Sequence, residues 1–205
     1  MPVRLTALPA KRRWPAILSG IALFVLVALI GSGGLLYAAH QEENDAFCAS
    51  CHTQPETTYF ARTQDAKATD LASWHHGKAG QSGQVTRCID CHSGAGVSGR
   101  LNAMQIGSVD LIAYVTGQAK QPAPLTHPIT DANCLKCHAD VPTTQNFNRH
   151  FHTFLTRWQA ADPKAASCVS CHAAHATDGL PNLVFLQRER AVQVCDNCHK
   201  VLRRG

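Results

Sequence analysis

The longest unbroken apolar stretch lies near the start of the chain. Positions 17–39 carry no charged side chain, running through Ile21-Ala-Leu-Phe-Val-Leu-Val-Ala-Leu-Ile30. A run of this length meets the roughly 20 residues a helix needs to cross a bilayer core. Lys11, Arg12 and Arg13 precede it, which puts that end in the cytoplasm by the positive-inside rule, and Trp14 and Tyr37 lie near its two ends as interfacial aromatics do. A cleaved leader shares the basic head and the apolar stretch, but this run exceeds the usual apolar core of one. Gly31-Ser32-Gly33-Gly34 fits either close packing against another helix or a frayed helix end. The pattern divides the chain into a basic cytoplasmic head (1–16), a transmembrane helix (17–39) and a periplasmic domain (40–205).

Beyond residue 40 the apolar pattern is sparse. Leu101, Met104, Val109, Ile112 and Val115 recur at roughly helical spacing, which predicts a helix over 101–118 with Gly117 near its end. A second helix is predicted over 184–195. The segments 77–83 and 121–124 read as loops from their Gly and Pro content. The expected fold class is mostly α and irregular, with short helices, long connections and little or no sheet.

The cysteines change the picture. All ten fall in pairs separated by two residues, and each pair is followed at once by histidine: Cys48/Cys51/His52, Cys88/Cys91/His92, Cys134/Cys137/His138, Cys168/Cys171/His172 and Cys195/Cys198/His199. Cysteines at i and i+3 present both sulfurs to one side of a helical turn, where they form thioethers to the vinyl groups of one haem. The next residue then offers its imidazole to the iron. Zinc sites also use paired cysteines but do not require histidine directly after the second, and a redox dithiol needs one motif within a βαβ pattern. With 12 histidines in 205 residues, meeting one after every pair by chance is on the order of one in a million. The motifs therefore predict five covalently bound c-type haems.

Charge adds little beyond this. The formal net charge of +5 comes from the head, where Arg4, Lys11, Arg12 and Arg13 stand without a single acid before Glu42. The rest is nearly neutral, and haem propionates would make it acidic by roughly ten charges, so nothing points to nucleic acid. The whole chain holds only seven Phe, three Trp and three Tyr. The porphyrins must then supply most of the buried apolar surface, with folding coupled to their insertion.

Seven histidines remain once the motif histidines are assigned. His75 or His76, His127, His150 or His152, and His175 each offer one second axial ligand, and His40 or Met104 a fifth. Arg149, Arg157, Arg188 and Arg190 are candidate propionate partners. Bis-histidine ligation favours low potentials, whereas a thioether ligand would raise one. Because no motif lacks its histidine and spare ligands are plentiful, a reductase of small oxyanions with an open iron is disfavoured.

One anchor followed by closely spaced Cys-x-x-Cys-His motifs resembles two groups of quinol-linked cytochromes. Five motifs in about 200 residues look most like the pentahaem subunit of alternative complex III, and secondly like the tetrahaem NapC/NirT quinol dehydrogenases. The latter often carry a methionine soon after the first motif, where this chain has Thr53-Gln54-Pro55. The first resemblance implies an electron-transfer subunit working with iron-sulfur and quinol-binding subunits and a soluble periplasmic carrier. The second implies an autonomous quinol dehydrogenase feeding a periplasmic reductase. Its quinol pocket is expected near His40, Glu42 and Glu43, whose carboxylates would accept protons.

Overall fold

A computed structural model describes residues 13–77, 85–125, 127–143 and 150–202. Lys11, Arg12, Arg149 and most of the predicted 77–83 loop lie outside the described residues, as do the side chains of His150 and Cys198. The chain forms two compact units, one ending at Glu42 and one running from Glu43.

The first unit is helix α1, Arg13–Gln41. Its 29 residues span about 44 Å at 1.5 Å per residue, more than a hydrocarbon core requires. Phe24, Leu29, Ile30 and Leu36 are all exposed, so apolar side chains surround the helix rather than forming one stripe. A helix apolar on every side is stable in lipid and not in water. The glycine-rich stretch continues the helix instead of fraying it, and Ser32 Oγ donates to the carbonyl of Ala28 at 2.7 Å.

The second unit is a series of short helices joined by irregular segments. They are α2 Asp45–Cys51, α3 Glu56–Thr63, α4 Leu71–Gly77, α5 Cys88–His92, α6 Gly96–Val115, α7 Asp131–Cys134, α8 His150–Ala161, α9 Cys168–Cys171 and α10 Arg188–Leu202. Among the described residues there is no strand, only one isolated antiparallel bridge between Leu180 and Leu186. The expected mostly helical, irregular fold is what the chain adopts.

Short helices need help at their first turn, and the motifs supply it from their own middle residues. Asp90 accepts the Arg87 N–H at 2.7 Å ahead of α5, and Ser170 Oγ accepts the Ser167 N–H at 3.0 Å ahead of α9. Such back-bonding satisfies amides that have no partner inside the helix. Asn44 does the same for α2, accepting from Ala46 N–H at 3.1 Å.

Two boundaries differ from the sequence expectation. The helix predicted over 101–118 starts earlier, at Gly96, and ends at Val115. Gly94, at φ +76°, turns the chain so tightly after α5 that a Cβ there would overlap the Gly99 carbonyl. The helix predicted over 184–195 does not begin at Val184. Val184 and Phe185 take left-handed backbone conformations, φ 55° and 56°, so α10 starts at Arg188 and runs through the fifth motif.

The third motif also departs from expectation. Its two cysteines do not share a helix: α7 ends at Cys134, and Cys137 lies beyond it in a turn, exposed to solvent. The cause is a tightening of the chain at this point. The N–H groups of Cys137 and His138 both donate to the Cys134 carbonyl, at 3.2 and 3.0 Å, and the first of these is a three-residue bond that closes the helix.

Buried apolar side chains are almost missing. Among the described residues only Ala166 and Phe185 are buried hydrophobics, whereas Asp45, Asp70, Ser73 and Gln187 are buried polar groups. A unit of this size ordinarily rests on a contiguous apolar core. Here few apolar side chains are available to form one.

Candidate functional site

The motif helices contact one another in chain order: α2 touches α5, α5 touches α7, α7 touches α9, and α9 touches α10. Specific bonds hold each junction. Asp45, one turn before Cys48, accepts the Cys88 N–H at 2.9 Å. Lys136, inside the third motif, donates to the Gly94 carbonyl at 3.1 Å and to that of Asp90, just after and within the second. Asp131 accepts the Cys168 N–H at 2.7 Å, and the Gln187 N–H donates to the Cys171 carbonyl at 2.9 Å. The five attachment points therefore form one row.

The cysteines of a motif do not stand in equal surroundings. In motifs two and three the first, Cys88 and Cys134, is half-buried between helices, and the second, Cys91 and Cys137, is exposed. Burial and the neighbouring Asp45 push the Cys88 thiol up to about 12. In the third motif the end of α7 falls between the two cysteines. Only Cys134 belongs to the helix, and the Lys136 side chain next to Cys137 is drawn off to the carbonyls of motif two. Cys137 keeps its place in the motif through the backbone bond to Cys134, with His138 directly after it.

Three histidine pairs sit between these helices. His92 faces His175 with ring centroids 6.4 Å apart, His172 faces His152 at 6.4 Å, and His138 faces His75 at 6.2 Å. Two imidazoles bound to opposite sides of one metal, with bonds of about 2 Å each, have centroids roughly 6 Å apart. Each pair is thus one motif histidine and one spare histidine at the spacing an iron between them requires. Among the described residues no three His, Cys, Asp or Glu side chains converge as a tetrahedral metal site needs. The residues fit axial ligation of haem, and the lack of buried apolar side chains fits porphyrins as the filling.

These imidazoles are held in the state that iron binding would require. Burial pushes His92 below the ordinary histidine range, with Glu56 opposing and His52 reinforcing the shift. Burial does the same to His175, against the pull of Asp70. Both stay neutral near pH 7, the form that binds a metal. Tyr59 stacks on His175 at 4.0 Å with planes 4° apart. Arg62 links Asp70, 1 % exposed, to the His175 carbonyl through contacts of 3.1 and 3.0 Å. His172 Nδ1 meets the Val184 carbonyl at 3.1 Å, and His75 Nδ1 meets that of Leu71 at 2.9 Å. A carbonyl partner makes Nδ1 the protonated nitrogen and leaves Nε2 free for the iron. The left-handed Val184 thereby aims its carbonyl at a motif histidine.

The first motif is arranged differently. His52 Nε2 lies 3.8 Å from Asp110 Oδ2 on α6, and His52 Nδ1 lies 3.9 Å from Glu56. Beside them is a cavity of about 270 Å³ lined by Cys51, His52, Asp110, Tyr114, Lys120 and Gln121, among others.

The remaining nominated residues fall as follows. His76 turns to Asp45, with Nε2 3.3 Å from Oδ2, so of this doublet His75 is the one facing a motif. His127 is exposed on the connection before α7, and no described imidazole faces it. His40 is exposed in the last turn of α1. Met104 is half-buried on α6, the helix that also carries Asp110. His199 is exposed on α10. Arg157, Arg188 and Arg190 are exposed. Glu43 pairs with Arg87 at 3.6 Å, and Asp110 lines the cavity beside His52. Sequence reading missed Asp110, Asp45, Asp131 and Lys136. Asp110 was visible as the one acid in an apolar helix, and Asp45 and Asp131 as the repeated Asp-Ala-x-Cys before motifs one and three.

Comparison with known proteins agrees with this chemistry. The N-terminal region of the NapC/NirT cytochrome c family matches residues 11–131, and the cytochrome c3 family matches residues 117–200. The tetraheme c-type cytochrome CymA of Shewanella oneidensis is 26% identical over 180 residues, covering 77% of this chain and 88% of that protein. No solved structure matches. These matches favour the second of the two resemblances and not the alternative complex III subunit. The motif count had decided for the latter, but the count does not track the anchor and the first two motifs, where the family match lies.

Proposed function

The chain belongs to the NapC/NirT cytochrome c family, and from that premise we propose that it is a membrane-anchored quinol dehydrogenase that passes electrons through five c-type haems to a soluble redox protein in the periplasm. The observation that carries the reading is the row of motif helices, each bonded to the next. A row places each site beside the following one, which stepwise electron transfer requires. When bound, the haems supply the one-electron carriers and the buried apolar surface.

The residues of the chain have separate tasks. The ten cysteines, Cys48 through Cys198, would hold the porphyrins, and His52, His92, His138, His172 and His199 would each bind one iron. His175, His75 and His152 would serve as second ligands at the sites of His92, His138 and His172. Asp110 stands beside His52 with its carboxylate left for proton chemistry. Oxidation of a quinol releases two protons with two electrons. Asp110 is the acceptor placed to take a proton at the cavity, with Tyr114 and Lys120 as hydrogen-bonding partners of the quinol oxygens. Helix α1 anchors the chain with the basic head inside the cell and the second unit outside.

The test is direct. The full-length protein in detergent or nanodiscs, without other subunits, is mixed with a reduced quinol and followed at the haem absorption bands. Reduction of the haems by quinol alone, at five haems per chain by pyridine haemochrome, supports the reading. If reduction requires added iron-sulfur or quinol-binding subunits, the protein is a relay within a larger complex.

A further inference from the structure

Asp45 and Asp131 occupy the same place in two halves of the second unit. The sequences are Asp45-Ala-Phe-Cys48 and Asp131-Ala-Asn-Cys134, each aspartate three residues before the first cysteine of its motif. In both, Oδ1 accepts the backbone N–H of the first cysteine of the next motif, Cys88 at 2.9 Å and Cys168 at 2.7 Å. In both, Oδ2 reaches a side chain on the helix between the two motifs. Asp45 meets His76 Nε2 of α4 at 3.3 Å, and Asp131 accepts from Gln159 Nε2 of α8 at 2.6 Å. Each of those helices carries an imidazole that faces a motif histidine, His75 on α4 and His152 on α8.

The other two junctions are built from different parts. Motif two meets motif three through the Lys136 ammonium on backbone carbonyls, and motif four meets α10 through the Gln187 amide. One device thus recurs at alternate junctions, with the same atoms in the same roles.

We propose that Asp45 and Asp131 are positioning residues that clamp motifs one and two, and motifs three and four, into two equivalent haem pairs, the fifth motif lying outside this repeat. The clamped N–H belongs to a cysteine whose sulfur carries the porphyrin. Moving it moves one haem edge relative to its neighbour, and electron transfer falls steeply as that gap widens. The second carboxylate oxygen fixes the intervening helix, so one side chain sets both the spacing of the pair and the helix that carries an axial imidazole. A negative charge held beside the pair also favours ferric over ferrous iron and keeps its potentials low.

The inference rests on haem attachment at the motifs and not on quinol as the donor, so it is tested without quinol. Full-length Asp131→Ala and Asp131→Asn proteins are purified, their haems counted by pyridine haemochrome, and the remaining readouts taken during chemical reduction. These are the magnetic coupling between neighbouring haems, their potentials, and the rate of electron exchange within the pair. In D131A all five haems are expected, with weaker coupling between the third and fourth and exchange about tenfold slower, the low end of the loss when an outer partner of a metal site is removed. D131N keeps an oxygen that accepts the Cys168 N–H. It should retain the coupling and raise only the potentials of that pair, while the first pair is unchanged. Asp45→Ala should weaken the coupling between the first and second haems and leave that between the third and fourth in place, although α4 carries the His75 that faces His138, so the third haem's potential is free to shift. Unchanged coupling in D131A, or equal effects on both pairs from one substitution, overturns the proposal. If D131A does not accumulate, loss of coupling in D131N overturns it instead. A haem count below five in the wild-type protein would strike the five-haem reading and leave the pairwise question to the haems present.

Discussion

His75 and His138 face each other with ring centroids 6.2 Å apart and planes crossed at 81°, while His92 with His175 and His152 with His172 are tilted by only 24° and 17°. Parallel imidazoles donate into the same iron d orbital and split the pair of π orbitals; crossed imidazoles leave that pair nearly degenerate. The oxidised protein should therefore show one strongly anisotropic low-spin EPR signal, from the third haem, beside two ordinary rhombic signals. Only the anisotropic one should disappear in His75→Ala. Its loss in His175→Ala instead would mean that the pairs are wrongly matched.

Replacing His175 by methionine tests the second site. A thioether in place of an imidazole should raise that haem's potential by on the order of 0.1 V or more, within the ~0.8 V range that axial ligands command. Potentiometric titration should show one haem moving upward and the fourth, which shares the His175 loop but not its imidazole, staying in place.

Asp110→Asn keeps the size of the side chain and removes its basicity. Quinol oxidation should slow by roughly a hundredfold, the lower range for loss of a general base, while reduction by dithionite proceeds as before. Equal slowing with both reductants would place the defect in the haem row and not at the cavity.

The scarcity of buried apolar side chains leads to a prediction about folding. Expressed in the cytoplasm without haem attachment, the segment from Glu43 onward should be largely unfolded by circular dichroism and unprotected in hydrogen exchange, and the loaded protein should be neither. A folded haem-free segment would show that the polypeptide has a core of its own.

Much of this was legible in the chain. The anchor followed from an uncharged run, the haem sites from a motif that repeats without exception, and the irregular fold from the lack of apolar periodicity. The pairing of motif and spare histidines was not, because spacing along the chain gives no information on which loop returns to which helix. His75 and His76 are adjacent, yet one faces His138 and the other Asp45. Val184 and Phe185 read as the start of a helix because left-handed backbone at two apolar residues leaves no signal in their side chains. Cys137 was expected on a helix because a motif spells out residue types and not where the backbone tightens after Cys134. Asp110, which stands beside His52, was passed over because the search around the motifs considered only histidine and methionine. The preferred resemblance failed for a related reason: a motif is easily gained or lost at a chain end, so the number of motifs says less about descent than their surroundings do.

The imidazole that faces His92 lies beyond the fourth motif. An iron held at Cys88 and Cys91 with His175 as its second ligand would therefore be completed only after the chain has been made past the fourth motif. A product truncated before His175 would carry that iron with one ligand missing.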